Sequence, residues 1–308
     1  MTAVDEREQE SLALPPPRDT ALLVVALAGV SASGPIMAAT AAPALAIAFW
    51  RNLFGAGVTT VTALRRWRQF AAVDRRGWVV AVLAGAFLAL HFGTWVPAVT
   101  LTSVASATAL VSTQAIFSAL FAIGLGRRLP RTAWLGMVLA VLGTGLIAGA
   151  DIGVSGRALT GDALAVVGGA AAAAYVTAGA QARRTMSAAA YTAICYSVAA
   201  LGLLIACLLG GQSLSGYPAR AWLLIVAVTV CAQLLGHTLI NIVLRSASPT
   251  FVGLAILVET PGAAVIAAIW LHQTPPLLTV PGVVLLLFGL VLTVQARAPD
   301  SVASPDVD

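Results

Sequence analysis

Leu254-Ala255-Ile256-Leu257-Val258-Glu259-Thr260-Pro261-Gly262-Ala263-Ala264-Val265-Ile266-Ala267-Ala268-Ile269-Trp270-Leu271 is an apolar run with a single carboxylate in it. It belongs to a segment, 250–271, of the length that crosses a bilayer, for which about 20 apolar residues are needed. Glu259 is the only acidic residue in the interior of any long apolar run of this chain. A carboxylate near the bilayer midplane costs roughly 2.5–3.5 kcal/mol on insertion scales, so its presence there points to a purpose. Two residues later, Pro261 removes a backbone donor and invites a kink. Together they mark a broken, polar point at membrane depth, the place where carriers tend to keep their sites.

The rest of the chain follows the same pattern. It has 308 residues, 59% hydrophobic and 9% charged, with a mean hydropathy of +0.95. Soluble domains carry about 25% charged residues, so this composition defines a polytopic membrane protein. Apolar runs lie at 20–42, 44–64, 77–97, 103–125, 132–150, 161–181, 189–210, 221–243, 250–271 and 278–296. These predict an all-α membrane protein with ten transmembrane helices. A β-barrel is not indicated, because ten-residue alternating segments are lacking. Residues 1–19 are acidic and proline-rich, the wrong chemistry for a signal peptide, and read with 297–308 as disordered tails. Cys195, Cys207 and Cys231 are isolated in apolar helices, which excludes a Cys/His metal set and leaves small packing residues.

Charge sets the orientation. With the N-terminus in the cytoplasm and ten spans, 14 of the 17 basic residues fall at cytoplasmic ends, and only Arg51, Arg157 and Arg220 fall in the outer halves. That bias predicts cytoplasmic tails at both ends, in the cell membrane. The arginine clusters at 65–68, 75–76 and 127–131 read as topology determinants facing anionic lipid, and a nucleic-acid surface is not expected on a chain that is almost all membrane. The lipid bilayer is the expected large-scale partner.

The chain also repeats itself. At an offset of 146, Pro130, Gly136, Val138, Leu139 and Gly143 match Pro276, Gly282, Val284, Leu285 and Gly289. Five spans per half place equivalent positions in opposite directions through the membrane. The expectation is two inverted five-helix repeats, 20–150 and 151–296, with a site at their interface. Gly145 to Gly149 forms a GxxxG, and Gly168-Gly169 opens an alanine run; both suggest close helix approach.

Several polar side chains are candidates for that site. Glu259 reads either as a proton-coupling or substrate-binding carboxylate, or as a structural carboxyl serving backbone freed by Pro261 or an arginine. Arg51, about two turns inside span two, reads as a ligand for a substrate carboxylate or phosphate, as a snorkelling cation, or as the partner of Glu259. Gln114 stands in mid-span four, and the offset pairs it with Thr260. His91 and His237 are either proton relays or interhelical hydrogen-bonding groups. Trp95, Tyr175, Gln233 and Asn241 are candidate lining. Pro35 and Pro261 are candidate hinges. No metal site is expected, because no third ligand stands at a suitable spacing.

Four places in the chain carry a family likeness. They are Phe49-Trp50-Arg51, Gly161-Asp162, Leu244-Arg245-Ser246-Ala247-Ser248-Pro249-Thr250 and Glu259-Thr260-Pro261. With the ten-span, two-repeat layout, they resemble the drug/metabolite transporter superfamily of EamA type over about 20–296. The likeness implies export of metabolites, amino acids or drug-like compounds by alternating access. The chain departs from the family where Gly-Glu pairs commonly end spans four and nine. It has Gly126-Arg127 and His272-Gln273 there, and Ser112-Thr113-Gln114-Ala115 where a first-half Glu-Pro would stand.

The leading expectation is a secondary transporter of small molecules, without cofactor, coupled to protons through Glu259. The chain lacks a GxxxxGK[ST] loop, so ATP hydrolysis is not its energy source. A facilitative uniporter or exchanger is the nearest alternative. A scaffold stands further off, as does an intramembrane enzyme, whose nearest approach to a serine mechanism is Ser33 with His237.

Overall fold

Residues 16–65, 67–68, 73–124, 129–152, 155–182, 186–243 and 255–295 are described by a computed structural model. The helices are α1 (Pro17–Ser31), α2 (Ser33–Ala38), α3 (Ala44–Leu64), α4 (Arg75–Leu101), α5 (Val104–Val111), α6 (Gln114–Gly124), α7 (Arg131–Ile152), α8 (Gly156–Ala182), α9 (Ala188–Leu209) and α10 (Ala219–Val228). A π-helical segment, Thr229–His237, follows, then α11 (Thr238–Val243), α12 (Glu259–Leu271) and α13 (Thr279–Gln295). No strand occurs among the described residues. Side-chain caps start several helices. Asp74 accepts from Gly77 N–H at 2.8 Å, Ser103 from Ser106 N–H at 3.0 Å and Ser187 from Ala190 N–H at 3.3 Å.

Eight helical stretches are long and apolar enough to cross a membrane, and two shorter apolar ones, Glu259–Leu271 and Thr279–Thr293, follow. Eight of the ten expected spans are thus of membrane-crossing length, and shorter apolar helices lie where the last two were expected. The start of the ninth expected run, 250–254, lies outside the described residues, as do the tails 1–15 and 296–308 and the 244–250 motif.

Two spans break where proline dictates. Span one is interrupted at Ala32 between α1 and α2. Pro35 lacks an N–H, and its ring crowds the carbonyl four residues back, that of Ser31, the last residue of α1. Pro261 acts likewise on Leu257, and the chain tightens there, with Val258 N–H donating to Ala255 O at 3.0 Å and Thr260 N–H to Leu257 O at 3.3 Å. Span four tightens without a proline, at Ser112-Thr113, between α5 and α6. Both half-helices that follow begin with a site candidate, Gln114 and Glu259. The structural pairing of these two is therefore one residue off the sequence offset, which sets Gln114 against Thr260.

Close packing runs through glycine. In lipid, helices gain little from burying apolar surface against each other and associate through van der Waals contact and hydrogen bonds, so small residues matter. A Cβ on Gly136 would lie 2.5 Å from Gly289 O, and one on Gly282 would lie 3.1 Å from Gly143 O. Residue numbers rise along α7 as they fall along α13, so these helices pack antiparallel, backbone on backbone. The GxxxG reading needs correction, because a Cβ on Gly145 or Gly149 would meet nothing within 4 Å. Those two glycines face outward, away from the α7–α13 seam. Gly168 and Gly169 do sit at a crossing. A Cβ on Gly168 would approach Thr94 and Trp95 of α4, and one on Gly169 would lie 2.8 Å from Thr113 Oγ1.

Elsewhere α3 packs on α9, α4 on α8 and α9, α1 on the π segment, and α12 on α5. The last pair is stitched twice. Ser112 Oγ and Thr260 Oγ1 are 3.3 Å apart, and Val104 N–H donates to Gln273 Oε1 at 3.1 Å, just past the left-handed His272 (φ 53°) that ends α12. Gln273 therefore caps the start of α5, a role the sequence did not suggest. Gln273→Ala is expected to cost about 0.5–2 kcal/mol, as loss of a cap does, read as a lower unfolding midpoint in detergent.

Candidate functional site

Arg51 sits at the centre of the molecule. Its face of α3, with Ala48, Asn52 and Gly55, turns inward, and the side chain is only 1% exposed. Nε donates to Gln233 Oε1 at 3.1 Å, and Nη1 donates to Ser33 Oγ at 3.3 Å and lies 3.8 Å from Met37 Sδ. The guanidinium carbon stands 4.4 Å from the centroid of the Phe92 ring, a cation–π arrangement. Arg51 thus does not snorkel to the surface. Among the described residues its contacts come from α2, α4 and the π segment, and all of them are neutral.

The π segment explains Gln233. Its wider turn is a local departure from the α-helix that recurs at functional sites. Gly55 leaves room for the amide, since a Cβ there would collide with it. The Oε1 is committed to Arg51, and Nε2 is buried without a hydrogen-bond partner. Trp95 Nε1 and Asn52 Oδ1 are likewise buried and unpartnered. Gln233→Leu is expected to cost roughly 1–3 kcal/mol or more, because it strands a buried charged donor; thermal unfolding would read it.

Glu259 begins α12 and is half-buried. Its charge and that of Arg51 act on each other, but the two make no contact ion pair within 4.0 Å. His91 and Tyr196 also lie within electrostatic reach of Arg51. His91 Nδ1–H donates to Gly168 O at 2.9 Å, and its ring stacks on Trp95 with centroids 5.6 Å apart. That is a hydrogen bond between α4 and α8, and it leaves Nε2 open to a proton. Tyr175 neighbours Tyr191, Cys195 and Tyr196 on α9. Gln114 is half-buried beside the tightened turn of span four. The side chains of His237 and Asn241 lie outside the described residues.

The structure therefore gathers Arg51, Glu259 and His91, with Trp95 stacked on His91, and places Gln114 and Tyr175 elsewhere around them. Met37, Phe92 and Tyr196 join the site without a sequence signal that singled them out; Ser33 was noted only as the nearest approach to a serine nucleophile, and Gln233 was foreseen only as lining. Among the described residues, no group of three His, Cys, Asp or Glu could hold a metal. A cleft of about 310 Å³ opens between Ala39, Arg220, Leu224 and Trp270. It contains none of these residues, and the buried charges rather than the cleft define the centre.

A bundle of apolar helices closed around a buried cation, with a second charge on a broken helix, is a multi-pass membrane protein of carrier type. The model of the EamA-like transporter family matches residues 20–149 and again 159–295, and the chain belongs to that family. A solved structure described as "Crystal structure of protein" superposes with a TM-score of 0.61 at 18% identity, over 90% of this chain and 96% of its own, a likeness of fold alone. No curated protein matches the chain.

Proposed function

We propose that this chain is a secondary exporter of small molecules that works by alternating access and couples transport to protons through Glu259. The observation that carries the reading is the charged centre. Arg51 touches α2 and α4 of the first half and the π segment of the second, and shares its field with Glu259 on α12. A site shared by both halves is what rocking of one half against the other requires.

The halves are taken as inverted five-helix repeats, 20–150 and 151–296, in the cytoplasmic membrane with both tails inside. Three things support the inverted repeats. The family model matches twice. The α7–α13 seam pairs Gly136 with Gly289 and Gly143 with Gly282, each glycine facing the repeat counterpart of the other. Helix contacts also follow the same exchange: α3 with α9, α5 with α12 and α7 with α13 are self-related, and α4 with α8 corresponds to the π segment with α1. The partners are then a small-molecule substrate, the proton and the bilayer, with no nucleic acid and no cofactor.

The test is access. Single cysteines at Thr260 and Ser112, in protein lacking the three native ones, would be labelled from each side of proteoliposomes. Labelling that shifts between faces when a transported compound is added supports the reading. Labelling indifferent to every compound in a panel of amino acids, organic acids and cationic drugs would sink it.

A further inference from the structure

Arg51 carries a permanent positive charge at the centre of the molecule, and Ser33, Met37, Gln233 and the Phe92 ring, all neutral, are its contacts. Burying an unpaired cation is costly unless an anion comes into contact. Glu259 is the acidic group whose charge reaches Arg51, and it stays beyond contact distance. Two further donors near this centre are buried without acceptors: Gln233 Nε2, on the amide that holds Arg51, and Trp95 Nε1, one turn along α4 from Phe92. The centre offers spare donors and a cation, and its walls are aromatic.

We infer that the cargo presents an anionic group, a carboxylate or one like it, to Arg51, and that its binding takes up one proton at Glu259. The inference rests on the carrier reading above and names its substrate class. Its logic is charge balance. With Glu259 ionised, Arg51 and Glu259 already neutralise each other across the gap. A monoanion added at Arg51 would leave a net negative charge in a low-dielectric interior, with two anions competing for one guanidinium. With Glu259 protonated, Arg51 and the anion balance. Proton and anion therefore bind together and move as a neutral pair, and an acid accumulated inside leaves with its proton.

The other groups facing this centre do not offer the same switch. Ser33 and Met37 of α2, Gln233 of the π segment and Phe92 of α4 do not titrate. His91 of α4 donates Nδ1–H to Gly168 O, and a proton at its free Nε2 would set a second cation within reach of Arg51; Tyr196 of α9 is a phenol, neutral in the working range.

Binding and transport of benzoate, benzylammonium and benzyl alcohol by the full chain in phosphatidylcholine vesicles test this. Benzoate is expected to bind with uptake of about one proton, and its Kd to tighten about tenfold per pH unit of acidification where Glu259 is ionised. Glu259→Gln should bind benzoate without proton uptake and without that pH dependence, and Arg51→Gln should lose binding. The wild-type result decides even if Arg51→Gln fails to fold. Transport of benzylammonium in place of benzoate would overturn the anion inference and leave the carrier standing. Benzoate binding without proton uptake would overturn the linkage. Benzoate binding abolished by added phosphatidylglycerol would assign Arg51 to a lipid headgroup and overturn the inference. No movement of any compound, with access fixed in the labelling experiment, would overturn both readings.

Discussion

Glu259→Gln is expected to reduce substrate-evoked proton flux in proteoliposomes to background while leaving substrate binding in place. Glutamine keeps the shape and hydrogen-bonding reach of the carboxyl but has no proton to exchange. A fully coupled carrier would then stall or run as an exchanger. The same variant separates coupling from structure. A carboxylate at membrane depth costs roughly 2.5–3.5 kcal/mol, and here it has no contact ion pair to offset that. The amide should therefore change the unfolding midpoint little, because relief of that cost is offset by loss of the charge that balances Arg51 across the gap. A structural carboxyl predicts the reverse, a lower midpoint with proton movement unaltered. Substrate movement in both proteins without proton flux would make the chain a uniporter or exchanger.

The second large effect belongs to the glycine seam. Gly143→Leu places a side chain where the backbone of α13 at Gly282 and Leu286 already lies. Backbone cannot step aside as a flexible side chain can. Overpacking of this kind costs typically 1–3 kcal/mol and occasionally more, on the order of 2–5 °C in the unfolding midpoint of a chain this size. Gly289→Leu, opposed by the backbone of Gly136 and Ala140, should behave alike. Gly145→Leu is the control. It lies two residues from Gly143, in open space, and should change the midpoint little. Equal losses for Gly143→Leu and Gly145→Leu would mean that α7 and α13 do not pack as described.

The contrast between those two glycines shows where sequence reading stops. Gly145 and Gly149 form the recognisable motif, yet they face away from any neighbour. Gly136 and Gly143 are spaced seven apart and carry the packing. What marked them was their repetition at Gly282 and Gly289, which served as evidence of a duplication and said nothing of contact. A motif specifies which residues share one helix face. The partner helix decides which face is used.

The site divides in the same way. Glu259 and Arg51 stood out because a charge within hydrocarbon is expensive wherever the chain runs, so each needed a reason. Pro35 and Pro261 predicted their kinks because a missing N–H and a crowded carbonyl are local effects, and Ser31 and Leu257 yield where expected. Phe92, Met37 and Ser33 had no such mark. They are ordinary residues of an apolar protein and matter only because they touch a guanidinium from helices distant in sequence. Gln233 was visible as a polar group in a span, but its hold on Arg51 depends on the π turn and on the space at Gly55. Gln273 read only as a departure from a family pattern until its side chain was found capping α5.

The sequence by itself determined the membrane, the helices, the duplication and the presence of two opposite charges within apolar spans. These follow from composition, periodicity and the cost of charge in lipid, which act on each segment separately. Only the tertiary structure decided that Arg51 has no anion at contact among the described residues, that Gln233 holds it, and that α7 and α13 meet through Gly136, Gly143, Gly282 and Gly289. Those facts depend on which helix faces converge, and van der Waals contact and hydrogen bonding between segments far apart in the chain settle that.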